Sequence, residues 1–291
     1  MKRRGYTIRD GNGYALAAAH RDSRLLKKMA EKQAEIAIGT SGYSFDDWQT
    51  VFYPPDLPKG KRLDYYKEHF NSVEINSTYY RIPHPAVFYN MAKKVGERFE
   101  FIIKTHRSFT HDRKNVGKKA AEYNESIKPV VEAGKFYGYL AQFPYSFKYS
   151  EPNLRYILDG KNYFSEGPLF VEFRHKSWDR PDILESFRSN DIGICSVDEP
   201  ELSGLYPSKA EVTTNTGYIR FHGRNSDNWW GGKGDRYDYL YSKEELLSWK
   251  RKIDKLRTRT DKLYLFFNNC HLGQAVRNAK MMMEIMQTEL S

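Results

Sequence analysis

From about residue 36 onward, short runs rich in β-branched and aromatic residues alternate with longer stretches whose apolar side chains recur every three or four positions. The short runs predict strands near 36–39, 73–76, 99–104, 137–142, 169–174, 192–198, 217–222 and 262–268. The longer stretches predict helices near 61–69, 85–95, 117–133, 152–159, 181–189, 242–257 and 272–287. The interval 199–216 lacks helical spacing and is expected to be loop. Pro129 falls inside the third helical stretch and predicts an end or a kink there, because proline lacks the backbone N–H and crowds the preceding turn.

Strands alternating with helices imply parallel βαβ units. Eight such units in about 250 residues match the size of a (β/α)8 barrel. The expected fold is therefore α/β, a single TIM-type barrel over 36–291 with an irregular unit between strands six and seven. A doubly wound open sheet is the rival. No Gly-x-Gly-x-x-Gly follows the first strand and no P-loop occurs, which argues against a dinucleotide or nucleotide triphosphate site.

Active sites of such barrels form at the C-terminal ends of the strands. Here those ends are polar. In Val73-Glu74-Ile75-Asn76, the two-residue period of a strand puts Glu74 and Asn76 on the face opposite Val73 and Ile75. The apolar pair suits the helix-covered outside, so the polar pair is expected inside. The same reasoning sends Glu172 and Arg174 inward from the fifth strand, and Arg220 and His222 from the seventh. Lys104, Gln142, Asp198 and Asn268 end the third, fourth, sixth and eighth strands. A closed network of mutually neutralising ion pairs is the plain alternative to a site, although burying that many charges without purpose is costly.

Three further segments are expected at the same mouth. The loop from Gly39 to Gly60 carries Tyr43, Phe45, Trp48, Phe52 and Tyr53, which either pack it onto the barrel or shape a pocket. The stretch from His222 to Gly234 joins four glycines to Trp229 and Trp230 and reads as a mobile lid or a simple flexible loop. The basic stretch 104–119 follows the third strand and rims the mouth.

Composition enters here. The 291 residues carry 47 Lys+Arg against 37 Asp+Glu, a formal charge of +10, which invites a nucleic-acid reading. The charge is concentrated. Segments 1–35, 101–120 and 250–262 each carry a net +5, leaving the rest of the chain at −5. Residues 1–35 read as a basic N-terminal extension, disordered or loosely helical, and Met29 is an alternative natural start that leaves a net +4. The segment 250–262 ends a helix, where basic residues complement the helix dipole, on the face away from the mouth. With 40% apolar and 15% aromatic residues the chain is not disordered, and no stretch of about 18 uncharged apolar residues predicts a membrane span. Cys195 and Cys270 sit on or beside strands six and eight, roughly 9–10 Å apart in a barrel, too far for a disulfide. A reduced, cytoplasmic protein is expected.

The motifs agree with a known family. Ile38-Gly39-Thr40-Ser41-Gly42-Tyr43 with Trp48 and Phe52-Tyr53-Pro54, then Val73-Glu74-Ile75-Asn76-Ser77-Thr78-Tyr79-Tyr80-Arg81, occur in order. Phe101 to Lys104, Gln142-Phe143-Pro144, Val171-Glu172-Phe173-Arg174-His175 with Ser177-Trp178, Tyr218-Ile219-Arg220-Phe221-His222-Gly223 and Phe267-Asn268-Asn269 follow. This series resembles the YecE-like family, domain of unknown function 72, over roughly residues 36–285. The resemblance implies a (β/α)8-type barrel, and it does not imply any particular activity.

The residues themselves suggest an acid–base enzyme acting on a small phosphate- or carboxylate-bearing substrate. Glu74 and Glu172 are the candidate acid and base, His222 a proton relay, and Asp198 a further catalytic candidate. Arg174 and Arg220 would grip the anion, with Lys104 beside them and Asn76, Gln142 and Asn268 orienting the substrate. No cofactor is expected on this reading. The first alternative is a phosphodiesterase or endonuclease in which Glu74, Glu172, Asp198 and His222 hold one divalent ion and 104–119 contacts phosphates, although three cationic side chains oppose a metal there. The second is a barrel that binds an anion without turning it over. A glycosidase is a weaker match, because Gln142 and His222 stand where acidic groups are commonly found, and Lys104 as an imine-forming nucleophile has no motif behind it.

Overall fold

Parallel pairing of every strand with the next, and of the first with the last, closes the sheet into an eight-stranded barrel in sequence order. The computed structural model describes residues 33–231 and 235–287. The strands are β1 Glu35–Ser41, β2 Ser72–Ile75, β3 Glu100–Lys104, β4 Phe136–Gln142, β5 Leu169–Glu172, β6 Gly193–Asp198, β7 Thr216–Phe221 and β8 Lys262–Phe267. The helices, in chain order, are α1 Arg62–Tyr66, α2 Pro85–Lys94, α3 Val116–Glu132, α4 Glu151–Gly160, α5 Pro181–Ser189, α6 Lys243–Arg257 and α7 Gln274–Gln287. The expected (β/α)8 architecture is the one found. The connection from β6 to β7 contains no helix, as its sequence predicts. The extension expected over 1–35 and the alternative start at Met29 lie outside the described residues up to position 32, and Glu35 already belongs to β1.

The period-two pattern accounts for two separate cores. Inside the barrel, Ala37, Ile102, Leu140, Phe170, Cys195, Tyr218, Tyr264 and Phe266 form a closed layer. Outside it, the alternate strand residues, among them Val73, Ile103, Val171, Ile219 and Leu265, pack under the helices. Below the inner layer, Lys262 joins β3 to β1 through Glu100 at 2.7 Å and Glu35 at 2.8 Å. The N-terminal end of the barrel is thus closed by ion pairs, and the C-terminal end is left for the site.

Helix ends follow their sequence signals. Ser242 and Glu245 form a reciprocal capping box at the start of α6. Pro85, Pro152 and Pro181 occupy the first turns of α2, α4 and α5, where a missing N–H costs nothing. Pro129 does not end α3, which runs on to Glu132, and the proline sits in its last turn. At the mouth, the chain leaves β1 through Gly42 (φ +104°) and β7 through Gly223 (φ +91°). Both conformations strain any residue with a Cβ, which here would also meet Phe45 and Tyr239 respectively.

Candidate functional site

Arg220 is the centre of the mouth. It points inward from β7, donating through Nη2 and Nε to Glu74 at 2.7 and 2.8 Å and through Nη1 to Glu172 at 2.6 Å. Glu74 also accepts hydrogen bonds from Asn76 Nδ2 at 2.8 Å and from the Tyr218 hydroxyl. Arg174 lies just past β5. Its Nε approaches Glu172 Oε1 at 2.7 Å as an ion pair, and its Nη1 donates to Glu199 at 2.9 Å. His222 Nε2 stands 3.2 Å from Glu172 Oε1, and Asn268 Nδ2 stands 2.9 Å from His222 Nδ1. The Asn268 and Glu172 contacts match a neutral imidazole that accepts at Nδ1 and donates at Nε2, with Arg174 Nη2 crowding Nε2 at 3.1 Å. Burial, followed by the charge of Arg174, pushes the His222 pKa well below its ordinary value. Burial alone would raise Glu172, but Arg220, Arg174 and His222 override it and hold the carboxyl well below the usual range.

A cavity opens above this layer in two adjoining lobes of about 260 and 230 Å³, which share Tyr79, Tyr80, Lys104, Gln142, Arg174 and Tyr237. All six residues expected to bind substrate line it: Asn76, Lys104, Gln142, Arg174, Arg220 and Asn268. The four expected to be catalytic do not. Glu74, Glu172, Asp198 and His222 are all 0% exposed and line neither lobe. Glu74 and Glu172 hold the arginines that line the cavity, and His222 is enclosed by Glu172, Arg174 and Asn268. A direct acid–base role for Glu74 or Glu172 on a molecule in the cavity therefore does not fit the geometry, and the relay assigned to His222 would have to pass through Arg174 or Asn268.

Asp198 belongs to a different cluster. Its carboxylate accepts from Arg224 Nε at 2.7 Å and Nη2 at 2.6 Å, from the Tyr241 hydroxyl at 3.2 Å and from Trp249 Nε1. Trp249 lies on α6, outside the barrel wall. The inward positions at this strand are Cys195 and, past its end, Glu199, so the alternation that places Glu199 against Arg174 turns Asp198 outward. Strand parity read from Cys195 was the available signal for Glu199. Burial first, opposed by Arg174, raises the Glu199 pKa to about 8.

This arrangement bears on the divalent-ion alternative. Asp198 faces away from the other three candidate ligands, and both inner glutamates are occupied by guanidinium groups. Among the described residues no group of three or more His, Cys, Asp or Glu side chains is placed to hold a metal ion. The donor set proposed for such an ion does not fit one.

Lys104 is the residue that the sequence undervalued. Its Nζ donates to Gln142 Oε1 at 2.8 Å and lies 4.8 Å from the centre of the Tyr79 ring. Burial, then the neighbouring charge of Arg220, lowers its pKa to about 7. His111, on the wall beside it, is lowered to about 4 by burial and by Lys104 and Arg107.

The loops divide in function. Trp48, Phe52 and Tyr53 pack into the outer core, Trp48 donating to the Cys270 carbonyl at 2.7 Å, while Phe45 lines the cavity. Trp229 and Trp230 both line it: Trp229 lies under the Arg174 guanidinium, and the exposed Trp230 packs edge-on against Tyr145. Residues 232–234 of the stretch read as a lid lie outside the described residues. In the basic rim, Arg107 is paired with Asp112 and Lys119 with Glu122. In the far-face segment, Lys250 and Arg257 pair with Asp254 and Lys262 with Glu100.

Comparison with known proteins agrees with this architecture. The UPF0759 protein YunF of Bacillus subtilis (strain 168) is 32% identical over 274 residues, covering 88% of this chain and 96% of its own. The crystal structure of a DUF72 family protein from Thermotoga maritima MSB8 is 39% identical with a TM-score of 0.81, covering 87% of this chain and 99% of that one. A DUF72 family protein from Enterococcus faecalis V583, solved at 3.10 Å, is 25% identical with a TM-score of 0.76, covering 87% of this chain and 95% of that one. The family model described as "Protein of unknown function DUF72" matches residues 37–291, and the chain belongs to that family.

Proposed function

We propose that the mouth of the barrel binds a small molecule carrying a carboxylate or phosphate, and that the protein is an acid–base enzyme in which Lys104 handles the proton. The observation that carries this reading is the layering. Arg174, Arg220 and Lys104 line the cavity together with three carboxamides, while the carboxylates that fix the two arginines line neither lobe. Buried anions hold the arginines rigid from below, so their remaining donors are oriented before ligand arrives. The aromatic walls, Tyr79, Tyr80, Tyr145, Trp229 and Tyr237, suit the uncharged part of the molecule. Lys104, with a pKa of about 7, exchanges a proton at neutral pH.

On this reading Glu74 and Glu172 are positioning residues, coupled to substrate through Arg174 and Arg220. A nucleic-acid partner is a poorer match, because Arg107 and Lys119 on the rim are already paired with carboxylates. The reading calls on no cofactor. Two free thiols, Cys195 and Cys270, suit the cytoplasm as the proposed compartment. Among the described residues no helix is long and apolar enough to cross a membrane.

The test is thermal unfolding with inorganic phosphate, pyruvate and uncharged acetone. Phosphate or pyruvate should raise the Tm of the wild type and leave an Arg174→Gln variant unmoved. Equal response to acetone, or no response to either anion, would refute the reading.

A further inference from the structure

We infer that Lys104 forms a covalent imine with the carbonyl carbon of a small anionic aldehyde or ketone whose carboxylate or phosphate is held by Arg174 and Arg220. This rests on the anion-binding reading above and names the substrate class of the same site.

The cavity narrows the choice of reacting group. Its floor offers guanidiniums, carboxamides and the Ser41 hydroxyl, none of which is a nucleophile near neutral pH without a base to activate it. The Cys270 thiol also lines it, but burial raises its pKa, so the reactive thiolate is scarce. Lys104 differs from both. Among the described residues no carboxylate lies within ion-pair distance of it, since Glu74 is bound by Arg220 and Glu172 by Arg220 and Arg174. Among the described residues its hydrogen-bond acceptor is the neutral Gln142. The groups that set its charge come from several elements: Arg220 on β7, Glu172 and Arg174 at β5, Glu74 on β2, and Tyr79 and His111 on the walls. A recessed lysine without an anionic partner, in a field of arginines, loses its proton readily and becomes a nucleophilic amine.

The step balances without a further reactant. The Nζ lone pair forms a bond to the carbonyl carbon, and the carbonyl oxygen takes up a proton to give a carbinolamine. The C–O bond then breaks. The oxygen leaves as water with the two hydrogens that the amine has given up, and a C=N bond remains. Arginines holding the anionic end place the carbonyl over Lys104 rather than over one of the exposed lysines.

The experiment uses the full-length protein. Pyruvate, dihydroxyacetone phosphate and acetone are each incubated with it and with sodium cyanoborohydride, followed by intact mass and peptide mapping. The expected product with a charged probe is a mass increase equal to the compound less one oxygen atom, located on Lys104. Pyruvate and dihydroxyacetone phosphate distinguish a carboxylate site from a phosphate site. The modification rate should climb as pH is raised through about 7, the Lys104 pKa. Arg174→Met should slow it by about tenfold or more for the charged probe alone. Lys104→Met should abolish it, and the wild-type peptide map decides the matter if that variant does not fold. Labelling of Lys104 no faster than that of exposed lysines, or equally fast with acetone, overturns the inference. If phosphate and pyruvate raise the Tm but Lys104 stays unmodified, the imine falls and anion binding stands. If neither anion raises the Tm, both fall.

Discussion

Two buried carboxylate clusters sit at the same end of the barrel, one inside its wall and one outside. The outer cluster saturates Asp198 with Arg224, Tyr241 and Trp249 and joins β6 to the loop after β7 and to α6. The inner cluster distributes Glu74, Glu172 and Glu199 over two arginines, and those arginines also face a cavity. Both clusters satisfy buried charge, as stability demands. They differ in what is left over. Outside, the anion is enclosed and the tie is complete. Inside, the cations keep an open face, which makes a stabilising network into a binding surface as well.

The most damaging way to probe this contrast is Arg220→Met. It leaves Glu74 and Glu172 without their shared cation, and a buried pair broken on one side costs about 3–5 kcal/mol. Urea denaturation should show a loss of that size, together with loss of anion binding. Asp198→Asn should be milder, about 1–3 kcal/mol, since the amide oxygen still accepts from Tyr241 or Trp249. Anion affinity of the folded variant should be unchanged. A large fall in affinity would erase the distinction between the clusters.

Arg174→Gln should act mainly on binding, weakening phosphate or carboxylate by about 10- to 100-fold in a titration. Glu199, already raised to about 8, then takes up a proton rather than staying as an unpaired buried charge.

An effect of opposite sign, a gain in stability, is expected from Lys104→Met. The lysine pKa falls from its ordinary 10.5 to about 7 on folding, so the unfolded chain binds the extra proton between those values. Its cost to stability is therefore full below about pH 7 and fades as pH rises toward 10.5. The Tm gain of Lys104→Met over wild type should be larger at pH 6 than at pH 9. The opposite slope would mean that Lys104 is stabilised as a cation.

Strand number, order of elements and the inward turn of Glu74, Glu172 and Arg220 were readable from alternation alone. Backbone geometry makes every second strand residue face the same way, whatever the partners are. The same rule, applied to β6 from Cys195, places Glu199 inward and Asp198 outward. It fails when the last residue of a strand is simply taken to point into the mouth. Pro129 does not end its helix for a related reason: what a proline does depends on its distance from the helix end, and this one stands in the last turn.

What residue pattern could not supply was the depth of each charged group. Glu172 meets Arg220 from 48 residues away, and Glu74 meets it from 146 away. Local spacing set the types of side chain and the face on which each would lie. Closure of the barrel then paired these carboxylates with arginines and, among the described residues, left Lys104 without a carboxylate at ion-pair distance. The charge state of a group follows from its solvent exposure and its neighbours, and both are products of long-range packing rather than of sequence neighbours.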